Sequence, residues 1–108
     1  MKYKAYLVEE NNGEFVGSVK ELDVPDLEEG RLLIRVKYSS LNYKDALAAT
    51  GAKGVVRSYP FVPGVDVAGE IIESSSDNFI PGDEIIATGY KIGMAEFGGF
   101  GAVSYTHL

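Results

Sequence analysis

A mainly β, barrel-like domain with a single short helix is the architecture this sequence predicts. Three observations point to it. Several short segments have strand chemistry and are separated by turn residues. One of them alternates with a period of two, and only one stretch is rich in helix formers.

Lys4 to Val8 and Phe15 to Leu22 flank Asn11-Asn12-Gly13, a turn signal that predicts an N-terminal hairpin. The clearest strand is Leu32 to Ser39. There Leu32, Ile34, Val36 and Tyr38 fall on one face and Leu33, Arg35, Lys37 and Ser39 on the other, so half burial is expected. From Asn42 to Thr50 the helix formers Lys44, Ala46, Leu47, Ala48 and Ala49 predict about two helical turns. Ser40 or Asn42 is available as N-cap, and Gly51 can end the helix in the left-handed conformation.

Tyr59-Pro60 and Pro63-Gly64 are turns, and Val65 to Glu73 is a strand interrupted by Gly69. A glycine inside a strand marks a bulge or a close backbone approach, as at a barrel corner. Pro81-Gly82 is a further turn, and Asp83 to Thr88 a further strand. The glycines at 93, 98, 99 and 101 suit a flexible loop, with a last short strand from Ala102.

With 108 residues, 45% hydrophobic and 24% charged, the chain is one ordinary globular domain, too short for a nucleotide-binding domain and a substrate domain together. Ten Lys+Arg against sixteen Asp+Glu give −6, which opposes attraction to nucleic acid or an anionic membrane. No cysteine is present, so disulfides, thiol nucleophiles and thiolate metal sites are excluded. No eighteen-residue apolar run occurs, and a cytoplasmic protein is expected.

The charge is segregated. Residues 1–30 carry eight acids and three bases, residues 31–57 one acid and six bases, and residues 58–108 seven acids and one base. Within the basic middle, Arg35 and Lys37 read as the wet face of a strand. Lys44, Lys53 and Arg57 lie in or beside turn-rich sequence, where a solvated face and a gathering around an anionic ligand are both open.

There is no phosphate-binding loop, no strand followed by Gly-x-Gly-x-x-Gly, and no pair of histidines at metal-ligand spacing. The one histidine, His107, is expected to fray at the chain end.

Four segments in order carry the information: Ser39-Ser40-Leu41-Asn42-Tyr43-Lys44-Asp45, Val56-Arg57-Ser58-Tyr59-Pro60, Pro63-Gly64-Val65-Asp66-Val67-Ala68-Gly69 and Pro81-Gly82-Asp83-Glu84-Ile85. Together, from about Tyr3 to Gly101, they resemble the N-terminal, GroES-like catalytic domain of the medium-chain dehydrogenase/reductase superfamily. Within it the likeness is to the zinc-independent quinone oxidoreductase branch of the YhdH and YhfP type, which includes acrylyl-CoA reductases. The resemblance implies a partly open β-barrel. Zinc-dependent members hold their metal with a cysteine in a Cys-His-x-Asp stretch and a histidine in a Pro-Gly-His-Glu stretch. Asn42 and Val65 stand at those two places, and neither an amide nor an isopropyl group supplies what zinc prefers. No metal site is therefore expected.

The chemistry implied is reduction of a quinone, an enone or an acryloyl thioester by hydride from NADPH, with charge spreading onto the carbonyl oxygen. The resemblance makes Asn42 and Tyr43 the catalytic candidates. It places Tyr43, Asn42 and Asp45 at the nicotinamide end of NADPH, and makes Arg57 and Tyr59 the substrate-binding candidates, with Arg57 toward an anionic part of the substrate or the cofactor. Each has a plainer rival: Tyr43 packs its ring, Asn42 is only a helix cap, Asp45 pairs with a base or a backbone amide, and Asp66 binds backbone amides in its turn.

Family members are roughly three times longer, so the resemblance implies that the Rossmann domain, which binds most of the NADPH, is absent from this chain. The ending Ser104-Tyr105-Thr106-His107-Leu108 does not fit the family continuation, as in a truncated product or one whose frame is lost. A non-catalytic binding or assembly module, or an inactive fragment, is the alternative. Unpaired strand edges would favour a homodimer.

Overall fold

The computed structural model describes residues 1–88 and 91–107, the last by its backbone alone. Six strands and one helix follow in the order β1 (Lys2–Asn11), β2 (Glu14–Asp23), β3 (Arg31–Ser39), α1 (Tyr43–Ala49), β4 (Val67–Ser74), β5 (Glu84–Ala87) and β6 (Val103–His107). The sequence expectation of a mainly β domain with one short helix holds.

β1 and β2 form the expected hairpin, longer at both ends, with Asn11 opposite Glu14. Its two-residue turn needs positive φ at both central positions, and Asn12 (φ 52) and Gly13 (φ 84) supply it. The other strands form an antiparallel sheet in the order β5-β4-β3-β6. β1 joins the two sheets: the Tyr6 N–H donates to Phe100 O at 2.7 Å, Ala102 N–H to Lys4 O at 2.9 Å, and Val8 and Phe61 exchange backbone bonds. The result is an open barrel-like wrap in which β2 and β5 stand at the ends of their sheets.

Two apolar clusters fill it. Leu32, Ile34, Val67, Ile71, Ala87 and Ile92 form one, with Val36, Phe79 and Ile85 against it, and Ala5, Leu7 and Val62 form the other. At about 25 cal/mol per Å² of apolar surface removed from water, such side chains supply most of the stabilisation.

The two-face expectation for β3 is corrected at two places. Leu33, expected on the wet face, is buried, because both faces of β3 are covered near its start. Tyr38, expected on the core face, is 75% exposed. The ladder skips Lys37, pairing Val36 with Gly69 and Tyr38 with Ala68, and a one-residue insertion turns the following side chain outward. Gly69 lies opposite this bulge, and a Cβ there would sit 2.2 Å from Arg35 O, so the close approach predicted from its strand position is real.

A second correction concerns the glycine-rich segment, which is pinned rather than loose. Gly98 N–H donates to Val62 O, Gly99 N–H to Gly64 O and Phe100 N–H to Pro63 O, at 2.7 to 3.0 Å. A Cβ on Gly98 would lie 2.3 Å from Gly64 O. Glycine is needed there for backbone-to-backbone contact. His107 is paired through its backbone with Arg31 in the β3–β6 ladder, and its side chain lies outside the described residues.

Candidate functional site

The site is assembled at the start of α1. Asn42 is the N-cap, with extended backbone (φ −119, ψ 162), and Asp45 is the third helical residue. Asp45 is 1% exposed. Its Oδ2 accepts from the Asn42 backbone N–H at 2.9 Å, and its Oδ1 accepts from the Gly64 and Val65 N–H groups at 3.1 and 3.0 Å. One carboxylate thus ties the N-terminus of α1 to the 63–66 turn. β4 begins at Val67 rather than at Val65, and the Val65 amide, which a strand starting there would need, is already held by Asp45. Asp45 thus binds backbone amides, as its plainer reading expected, and it shapes the site without presenting a free oxygen to a ligand.

Asp66 has a different task. Its Oδ2 accepts from the Ser40 hydroxyl at 2.7 Å and from the Asn42 side-chain amide at 2.9 Å, and that amide also donates to Ser40 Oγ at 2.9 Å. A carboxylate requires donors, which fixes the amide orientation with its nitrogen toward Asp66. Both amide hydrogens of Asn42 are thereby engaged, and its side chain also faces the Asp45 backbone N–H in a reciprocal capping box. Ser40 enters the network as a hydroxyl partner, a role its sequence context as an alternative N-cap did not show. The contact spans 26 residues, and no local signal encodes it.

Tyr43, the first helical residue, is 79% exposed, and its hydroxyl carries no hydrogen bond among the described residues. With Leu41 (82%) and Tyr38 (75%) it leaves three large apolar side chains in solvent within six residues of sequence. Such a surface suits a flat aromatic ring, and the Tyr43 hydroxyl is a free donor beside it.

Arg57 and Tyr59 are not part of this network. They line a separate groove of about 490 Å³ shared with Glu10, Phe15 and Lys53. Arg57 is exposed. The Tyr59 hydroxyl donates to Ala48 O at 2.6 Å, and its ring meets Phe15 edge-on at 4.8 Å. Burial, and then the negative charge of Glu10, push its phenol pKa above the ordinary 10.0. Tyr59 thus satisfies a helix-end carbonyl, as the Thr50 hydroxyl does for Ala46 O at 2.8 Å, while Gly51 (φ 78) ends the helix in the left-handed region as predicted.

The two positions that the resemblance set opposite a metal-binding cysteine and histidine, Asn42 and Val65, share one hydrogen-bonded network. Asp66, next in chain to Val65, bonds Asn42, and Asp45 binds both the Asn42 and the Val65 backbone. Among the described residues no three His, Cys, Asp or Glu side chains converge as a metal site.

The alcohol dehydrogenase GroES-like domain family matches residues 28–106. The chain belongs to this family. An acrylyl-CoA reductase, AcuI, from Ruegeria pomeroyi is 41% identical over 92 residues, which is 85% of this chain and 28% of that protein. The crystal structure of Bacillus subtilis YhfP with NAD bound superposes at a TM-score of 0.90 with 36% identity, covering 99% of this chain and 32% of that one. The E. coli K-12 YhdH structure with bound NADPH gives 0.84 and 36%, covering 96% and 34%. This GroES-like chain therefore spans about a third of the length of such relatives, which are oxidoreductases of the medium-chain dehydrogenase/reductase superfamily. No helix among the described residues is long and apolar enough to cross a membrane.

Proposed function

We propose that this chain is the substrate-facing wall of a cytoplasmic, NADPH-dependent reductase of quinones or α,β-unsaturated carbonyl compounds, acryloyl-CoA among them, that works without zinc. One observation carries the reading. An amide and an aliphatic side chain occupy adjoining positions where zinc-dependent relatives place thiolate and imidazole, and the amide is bound to a carboxylate.

NADPH, when bound, supplies hydride to the β-carbon of the substrate. The rest falls to this chain. Tyr43 offers its exposed ring to the flat nicotinamide and its free hydroxyl to the substrate carbonyl, whose oxygen becomes negative as the β-carbon is reduced. Asn42 has no donor left for that oxygen. Its amide instead holds Asp66 and Ser40 in place at the start of the helix. Asp45 sets the spacing of the helix start and the 63–66 turn, so that the wall is rigid before substrate arrives. Arg57, and Tyr59 through the segment it anchors, serve the part of the substrate remote from the reacting carbon. The free edges of β2 and β5 favour pairing of two copies as a homodimer.

The test is a chimaera in which residues 1–101 replace the matching segment of Bacillus subtilis YhfP. NADPH oxidation with acryloyl-CoA and with benzoquinone is the expected outcome, and Tyr43→Phe should lower kcat by about tenfold or more, the usual scale for one lost oxyanion donor. A folded chimaera that oxidises NADPH with neither acceptor would reject the proposal in favour of a non-catalytic module.

A further inference from the structure

The outer side of β2 is an open strand edge. In an antiparallel pair, residues directly opposite one another either exchange their backbone bonds or both point them away. Val8 exchanges backbone bonds with Phe61, the Tyr6 N–H donates to Phe100 O, and Lys4 O accepts from the Ala102 N–H, so these residues turn away from β2. Their partners across the hairpin, Gly17, Val19 and Glu21, turn their own N–H and C=O groups to the outer side, and Phe15 joins them by alternation. Among the described residues no backbone or side-chain group meets them.

Edges are ordinarily guarded by brevity, a bulge, proline or charge, and the middle of β2 has none of these. The strand is ten residues long, and its ladder with β1 runs from Glu14 to Asp23 without a register shift. Phe15-Val16-Gly17-Ser18-Val19 is uncharged, with Val16 51% and Val19 69% exposed. β5, the other sheet-end strand, has only four residues and begins with Glu84. The β2 edge is also complementary to itself. Two copies related by a twofold axis bond only in registers that set outward residues opposite outward residues. With Gly17 on the axis, Phe15 meets the second copy's Val19, and Glu14 meets the second copy's Lys20 at both ends. No other such register within β2 sets an acid opposite Lys20, and an axis at Lys20 sets two lysines together. Glu14 forms no ion pair among the described residues, and Lys20, 2.6 Å from Glu9, is exposed enough to serve a second acid.

We propose that the outer edge of β2 is a self-association surface, on which two copies of this chain join antiparallel, Gly17 against Gly17, into a continuous β1-β2-β2-β1 sheet. Val19 is then covered by the second copy's Phe15, and Val16 by its Ser18. Gly17 lies under the Tyr6 ring, where a Cβ would sit 2.0 Å from the Tyr6 hydroxyl oxygen, so a ring from each copy covers the glycine pair on the axis. The inference fixes one strand and one register for the pairing of copies, and it stands independently of the reductase reading.

The experiment is sedimentation equilibrium of the 108-residue chain, with amide hydrogen exchange read by NMR below and above the association midpoint. A dimer is expected. On dimerisation, exchange should slow at the Phe15, Gly17, Val19 and Glu21 amides and stay as it was at those of Val16 and Ser18, which face β1. Lys20→Glu sets like charges opposite one another at both ends of the register and should weaken the dimer about tenfold or more, and adding Glu14→Lys should restore most of the affinity. Both side chains are exposed, so circular dichroism should show the fold unchanged, and the exchange pattern of the parent chain needs no variant at all. A monomer at every concentration, a dimer indifferent to Lys20→Glu, a double variant as weak as Lys20→Glu, or exchange slowed at β5 in place of β2 would overturn the proposal. None of these outcomes bears on benzoquinone reduction by the chimaera.

Discussion

Asp45 is the side chain on which the site's geometry hangs, and its removal has a size that the structure sets. Three backbone N–H groups converge on one carboxylate that is 1% exposed. Hydrogen bonds to a charged group each contribute about 1.5–3 kcal/mol, and an abandoned buried donor costs about 1–3 kcal/mol. Water reaches Val65 and Asn42, which are only partly buried, so their amides are compensated in part when the carboxylate is lost. Asp45→Ala should therefore destabilise by about 3–5 kcal/mol, a large fraction of the roughly 5–15 kcal/mol available to a domain. Asp45→Asn keeps an oxygen for Gly64 and Val65 but sets an amide N–H₂ against the Asn42 N–H, a loss of about 2 kcal/mol. Urea unfolding followed by circular dichroism measures both, and hydrogen exchange at the Gly64 and Val65 amides reports the site locally. An Asp45→Ala variant within about 1 kcal/mol of the parent, or an Asn variant less stable than the Ala one, would refute the reasoning.

Gly69→Ala forces a Cβ to 2.2 Å from Arg35 O, and because that obstacle is backbone the cost should be about 2–4 kcal/mol by the same unfolding assay. Tyr59→Phe removes the bond to Ala48 O and should cost about 1 kcal/mol. Tyr59 and Tyr3 both have phenol pKa values raised by burial, so the protonated form is favoured in the folded state. Their contribution is complete below pH 10 and is lost as pH rises through the raised values, so stability should fall above about pH 10 and Tyr59→Phe should flatten that fall. Asp66→Asn should free the Ser40 hydroxyl and re-aim the Asn42 amide, changing the Asn42 side-chain NMR resonances while leaving global stability within about 1 kcal/mol, since Asp66 is only half-buried.

What was legible in the sequence is what short-range chemistry encodes. Asn12-Gly13 specified the hairpin, the Asn42 to Gly51 stretch specified the helix with both its ends, and Gly69 announced the tight approach opposite the bulge. What escaped depends on contacts between distant residues. The bulge at Lys37 that exposes Tyr38 is a property of the β3–β4 register, which no residue of β3 declares. The glycines at 98 and 99 looked like loop residues because their partner, the 62–64 backbone, lies some thirty-five positions earlier. Asp66 took the side chains of Ser40 and Asn42 in place of the backbone amides expected of it for the same reason: those partners lie more than twenty residues earlier.

The account depends on hydride moving beside Asn42 and Val65 unaided by an ion, and metal removal tests this most directly. The YhfP chimaera, treated with a strong chelator and then assayed with zinc content measured in the same sample, should keep its full rate of benzoquinone reduction with no stoichiometric zinc bound. Activity that disappears with the chelator and returns when one equivalent of zinc is restored would contradict it.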